Sequence, residues 1–78
     1  MSSTKDRIKA IILSVLEDNE LSFSGEILED TLLGDDLGMK SLSLAQMTVM
    51  IEDEFGVDVY ENGVIRSVGE IFRQFSGE

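Results

Sequence analysis

Apolar residues fall into three runs with helical spacing, separated by stretches that lack it. The first run is Ile8, Ile11, Ile12, Val15 and Leu16, spaced i, i+3, i+4, i+7, i+8, which is one stripe of an amphipathic helix. Ser3 or Thr4 can cap it, and Asp6 then lies in the first turn, where the helix dipole favours an anion. The pattern predicts a helix over residues 4–18. A second run, within 41–55, places Leu44, Met47, Ile51 and Phe55 on a core stripe. Leu42, Ala45 and Val49 fall outside that stripe, so they form either a partner surface or a seam for a neighbouring helix. The third run is Val68, Ile71, Phe72 and Phe75, introduced by Ser67 and Glu70 in an S-x-x-E capping box.

The intervening stretches differ in kind. Asn19, Ser22, Ser24, Gly25, Gly34 and Gly38 break any long helix across 19–40. Leu21, Phe23, Ile27, Leu28, Leu32, Leu33 and Leu37 recur through it, which predicts a long loop pinned across a core, with one helical turn near residues 32–36. Residues 57–63 are too short and broken for more than a turn. No period-2 segment competes with these helices. The prediction is an all-α fold, a small three-to-four-helix bundle with a long loop between its first and second helices. At 78 residues the length admits one domain, 1–78.

Charge localises the working face. The formal net charge is −10. Lys5, Arg7 and Lys9 outnumber Asp6 at the start, and Arg66 and Arg73 balance Glu70 and Glu78 at the end. Residues 17–61 hold thirteen carboxylates against Lys40 alone, a net −12. Acidity of this order argues against nucleic acid or an anionic membrane and favours basic protein partners, or else it serves only solubility. Glu52, Asp53 and Glu54 stand near a helix C-terminus, which the macrodipole disfavours. That suggests a role beyond helix stability, with a solvated acidic end as the plain reading.

Reactive chemistry is scarce. Without His or Cys there is no Ser-His-Asp triad, no Cys-His pair, no Cys/His zinc site and no disulfide. No apolar run spans a membrane and no signal-peptide pattern opens the chain, which leads to an expectation of a cytoplasmic location and a monomer. Asp58-x-Tyr60-x-Asn62-Gly63 starts like a calcium loop, but Tyr60 replaces an oxygen ligand and position twelve is Gly69 in place of Glu. No metal site is expected. Paired carboxylates for glycoside hydrolysis would need a cleft that so small a bundle rarely has, so no enzyme is expected.

One hydroxyl stands apart. In Gly34-Asp35-Asp36-Leu37-Gly38-Met39-Lys40-Ser41-Leu42, Ser41 sits at the mouth of the second helix behind a glycine that lets the chain turn. Either Ser41 caps the helix, or Ser43 does so through Ser43-Leu44-Ala45-Gln46, an S-x-x-Q capping box. In the second case the Ser41 hydroxyl is free, and a phosphate joined to it would lie against the positive helix end.

Asp36-Leu37-Gly38-Met39-Lys40-Ser41-Leu42, followed by Ile51-Glu52-Asp53-Glu54-Phe55-Gly56-Val57-Asp58-Val59, resembles the acyl carrier protein family, and the order of helices and loops extends the resemblance over nearly the whole chain. The resemblance implies a carrier. A separate phosphopantetheinyl transferase, with Mg²⁺ in its own site, would move 4′-phosphopantetheine from coenzyme A onto Ser41, and the arm's thiol would hold acyl groups as thioesters. The positions matching the family's partner surface are Asp35, Asp36, Lys40, Leu42, Ser43, Ala45, Gln46, Val49, Glu52 and Asp53, facing basic patches of acyl-transferring, condensing or acyl-activating enzymes.

Lys40 departs from the pattern, for the family carries Asp immediately before the serine. Ser43, Ala45 and Gln46 also stand where fatty-acid carriers are often acidic. These departures favour a specialised fatty-acid, polyketide or related pathway over the central fatty-acid carrier, with an aminoacyl or peptidyl carrier as a variant. An unmodified acidic adaptor is the alternative from another class. Met47, Met50, Ile51 and Phe55 either line an acyl pocket or form ordinary core.

Overall fold

A computed structural model describes residues 3–23, 25–61 and 63–75; Ser24, Asn62 and Glu78, used in the sequence reading, lie outside the described residues. Three α-helices follow in order among the described residues: α1 Thr4–Asp18, α2 Ser41–Phe55 and α3 Val68–Arg73. There is no strand among them, only an isolated antiparallel bridge between Leu32 and Ser67. The all-α expectation holds.

α1 starts where a hydroxyl can satisfy its orphan amides: Ser3 Oγ accepts the Asp6 N–H at 3.1 Å. Its stripe of Ile8, Ile11, Ile12, Val15 and Leu16 is buried throughout. α2 runs antiparallel to it, with Arg7 bound to Glu54 at 2.8 Å at one end and Gln46 bound to Asp18 at 2.8 Å at the other. The Arg7 guanidinium also lies 4.8 Å from the Phe55 ring centroid, so one cation ties two residues of α2. Gly56 ends α2 in the left-handed region at φ 71°, donating its N–H to the Glu52 carbonyl at 2.7 Å.

The long loop is part of the core. Ile27, Leu33, Leu37 and Met39 are buried with the helical stripes. Burying a loop requires partners for its backbone, and the segment before α3 supplies them. Leu33 donates to the Arg66 carbonyl at 2.8 Å, and Val68 and Gly69 donate to the carbonyls of Thr31 and Glu29 at 3.0 and 2.7 Å. Buried Thr31 closes its own turn by accepting the Leu28 N–H at 2.8 Å.

Gly69 is required by this lacing. A Cβ there would lie 2.9 Å from the Glu29 carbonyl oxygen and 3.3 Å from the Glu29 Cβ. Gly69→Ala is therefore expected to destabilise by about 1–3 kcal/mol, despite the better helix propensity of alanine. A urea midpoint that moved upward would contradict the close approach.

α3 is six residues long, shorter than its stripe. Phe75 lies past the helix end yet packs edge-to-face on Phe55, with centroids 5.1 Å apart.

Candidate functional site at the head of α2

A lattice of short-range bonds sets the approach to α2. The amides of Asp36 and Leu37 both donate to the Leu32 carbonyl, at 3.0 and 3.1 Å, and Gly38 donates to Gly34 at 2.9 Å. Gly38, at φ 76°, turns the chain where a side chain would be strained. Met39 then donates to the Leu33 carbonyl at 3.0 Å and buries its side chain, which leaves Lys40 and Ser41 exposed.

The helix begins at Ser41, and Lys40 is its N-cap residue. A lysine ammonium cannot accept a hydrogen bond, so it does not cap the first-turn amides. Ser43 acts from the opposite direction. Its Oγ accepts the Lys40 N–H at 2.8 Å and donates to the Lys40 carbonyl at 3.2 Å. Ser43 is thus the third helical residue reaching back, and the S-x-x-Q box starting at Ser43 does not form. This corrects a second expectation: Ser43 is 4 % exposed and cannot belong to the contact surface.

Ser41 is left as the free hydroxyl. Its side chain is exposed and makes no hydrogen bond among the described residues. Helix geometry gives the first-turn amides no intrahelical acceptor, and α2 has no acid in that turn to repel an anion. Ser41 also forms one end of a groove of about 590 Å³ that α2 lines with Ala45, Thr48 and Val49 and that Asp58, Tyr60 and Val64 line from across it. Met47 and Ile51 lie on the opposite side of α2, fully buried in the core.

Among the remaining predicted positions, Leu42, Ala45, Val49, Glu52 and Asp53 are all exposed. Leu42 and Val49, at 77 % and 63 %, show that no neighbouring helix covers that face. Asp35 and Asp36 are exposed in the preceding turn, where the Asp36 carboxylate accepts the Leu32 N–H at 2.7 Å. Gln46 is half-buried at the edge of the face. It donates to Asp18 Oδ2 and accepts from Asn19 Nδ2 at 2.9 Å, which fastens α2 to the end of α1. Among the described residues no group of acids is arranged to hold a metal ion, and Asp58 accepts the Tyr60 N–H at 3.0 Å.

Sequence reasoning did not pick out Val64, and it met Tyr60 only as the residue that spoils a calcium loop; both line the groove opposite α2. Both sit in an aperiodic segment, so no pattern could flag them. Partial burial pushes the Tyr60 phenol above its ordinary value by desolvating the phenolate. The folded state therefore holds this proton more tightly. Its contribution to stability is present below about pH 10 and is lost as the pH rises through the folded value. Tyr60 is the sole tyrosine, so phenolate absorbance reads it directly. The folded protein is expected to titrate at higher pH than the urea-unfolded chain; equal midpoints would contradict the burial.

A protein-family model described as a phosphopantetheine attachment site matches residues 6–71. The chain belongs to the acyl carrier protein family. It is 40 % identical over 57 residues to the acyl carrier protein of Rickettsia bellii strain RML369-C, a match covering 73 % of this chain and 66 % of that protein. The acyl carrier protein of R. bellii strain OSU 85-389 is 39 % identical over 57 residues, covering 73 % of this chain and 70 % of the relative. That of Zymomonas mobilis is 33 % identical over 64 residues, covering 82 % and 77 %. No solved structure matches. Membership makes the chain an acyl carrier protein with covalent 4′-phosphopantetheine, and a carrier instead of a catalyst. The exposed hydroxyl, the acid-free first turn and the adjoining groove fit such a group.

Proposed function

We propose that Ser41 Oγ is the attachment point and that the chain, acting as a single-domain monomer, carries acyl groups for a specialised fatty-acid, polyketide or related pathway. The observation that carries this reading is the exposed, unpartnered Ser41 hydroxyl at the first position of a 15-residue helix. In loading, Ser41 Oγ forms a bond to the phosphorus that bears the pantetheine arm. The pyrophosphate bond of coenzyme A breaks, adenosine 3′,5′-bisphosphate leaves, and a base of the transferase takes the serine proton. When bound, the group supplies a thiol on which acyl chains are held as thioesters, a group the sequence itself lacks.

The chain's own residues position and present. Gly38 and the Leu32–Gly38 turn aim the helix start outward, while buried Met39 and the Ser43–Lys40 bonds fix Ser41 in the first turn. Favourable helix-end electrostatics act on a phosphodiester there. Self-repulsion at a net charge of −10 supports the monomer. Lys40 and the uncharged helix front support the specialised pathway. Incubation with coenzyme A, Mg²⁺ and a broad-specificity transferase is expected to add one phosphopantetheine to the intact mass; no gain with several transferases would contradict the reading. Full replacement of a central fatty-acid carrier in a growing cell would contradict the specialised pathway alone.

A further inference from the structure

Lys40 sets an amine beside the Ser41 hydroxyl. Consecutive Cα atoms are about 3.8 Å apart. Lys40 is the N-cap residue of α2, and its backbone is held by the Ser43 hydroxyl at 2.8 and 3.2 Å, so its side chain leaves from the same helix mouth as that of Ser41. The Lys40 side chain is exposed and forms no ion pair among the described residues. Three other charged groups stand nearby. Asp35 and Asp36 are exposed in the preceding turn, where Asp36 accepts the Leu32 N–H at 2.7 Å, and Arg66 lines the same depression as Asp35. A carboxylate forms no lasting amide with an acyl group, and a guanidinium that stays protonated is no nucleophile. Among the hydroxyls, Ser43 is buried and Thr48 donates to the Leu44 carbonyl at 2.9 Å.

The other two lysines lie elsewhere. Lys5 and Lys9 belong to the first half of α1, on either side of Arg7, which binds Glu54 near the C-terminal end of α2. Lys5 also sits 5.4 Å over the Phe72 ring. The axis of α2 advances about 21 Å over its 15 residues, so Lys40 is the one lysine at the Ser41 end of the bundle.

We infer that Lys40 is an acyl acceptor: an acyl group held as a thioester on the arm at Ser41 passes to Lys40 Nζ within the same molecule. The inference rests on Ser41 as the attachment point. The unprotonated amine attacks the acyl carbonyl, a C–N bond forms and the C–S bond breaks. The nitrogen gives up one proton, and the sulfur leaves as a thiol. No oxidant, reductant or second substrate enters. Tethering supplies the rate, because a short flexible link to the adjacent residue presents the thioester at an effective concentration on the order of millimolar. The product is an amide, so the acyl group stays on the chain while the arm returns to its free thiol. The transfer also removes the single positive charge within residues 17–61. Aspartate, which the family carries at this position, offers no such acceptor. Lys40 thus limits how long an acyl group can wait on this carrier before a partner takes it.

The test loads wild type and Lys40→Arg with acetyl-phosphopantetheine, using acetyl-coenzyme A and a broad-specificity transferase. The proteins are freed of coenzyme and held at about pH 8.5, where more of an alkyl amine is unprotonated than at neutrality. Hydroxylamine then strips thioesters and spares amides, and intact masses are read. Wild type is expected to keep one acetyl group, mapped by fragmentation to Lys40, and Lys40→Arg to keep at least about tenfold less. The rate constant should not change when the protein is diluted about tenfold, since the reaction is intramolecular. A wild type stripped completely, an equal remainder on Lys40→Arg, or a rate constant that falls on dilution overturns the transfer while Ser41 stands as the attachment point. No loading of either protein, with a known carrier loaded in the same mixture, overturns the attachment and the transfer together.

Discussion

Ser41→Ala is expected to abolish phosphopantetheine loading completely while changing stability by no more than about 0.5 kcal/mol. The two halves of this expectation come from different observations. Loading fails because the only exposed hydroxyl in the first turn of α2 is removed; Ser43, the nearest other one, is buried and bonded to the Lys40 backbone. Stability is spared because the Ser41 side chain makes no hydrogen bond among the described residues and buries nothing. Had Ser41 been the helix cap, its loss would cost about 0.5–2 kcal/mol, so urea unfolding beside the loading assay separates the roles. An unmodified adaptor would keep its function through this substitution. Retained loading would place the group elsewhere.

Ile51→Ala carries the largest expected effect on stability, a loss of about 2–5 kcal/mol. Ile51 is fully buried among the α1 stripe and the loop leucines, so truncation leaves a cavity in a close-packed core. A domain of this length typically holds only about 4–12 kcal/mol in total, so the variant stands near the edge of folding. Val49→Ala, two residues earlier on the exposed face, should change the urea midpoint little. If Ile51 instead lined a pocket kept open for acyl chains, its truncation would remove few contacts. A cost below about 1 kcal/mol would therefore favour the pocket over the core.

Much of this was legible in the sequence where periodicity was strong. The stripes of α1 and α2 predicted the observed spans, because runs at i, i+3, i+4, i+7 in α1 and i, i+3, i+7, i+11 in α2 bring their apolar residues to one face only as a helix. Ser67 capped α3 as its S-x-x-E pattern predicted, its Oγ accepting the Glu70 N–H at 3.3 Å. Ser41 could be found because it stands at the mouth of a helix behind the turn-forming Gly38, and Lys40 because it is the single cation within residues 17–61.

What the pattern missed was tertiary. Ser43 looked exposed or capping because its role depends on Met39 being buried, which draws the Lys40 amide under the helix start. Gln46 looked like a surface contact, but its partners Asp18 and Asn19 are 28 and 27 residues away. Val59 and Ile65 are buried in a segment too short for any period to show. Leu28 and Leu32, apolar residues of a loop that the pattern predicts to be pinned across the core, are exposed; the loop's backbone bonds to residues 66–69 fix which of its leucines turn inward.

Attachment to Ser41, and not to its neighbour Ser43, is open to a test on both residues at once. The most direct measurement loads wild-type, Ser41→Ala and Ser43→Ala proteins in parallel, takes intact masses, and fragments the modified peptide to locate the added phosphopantetheine. Addition on wild type and Ser43→Ala, none on Ser41→Ala, and fragment masses that fix the group on Ser41 are the predicted result. Addition on Ser41→Ala, or fragments that place the group on Ser43, would contradict it.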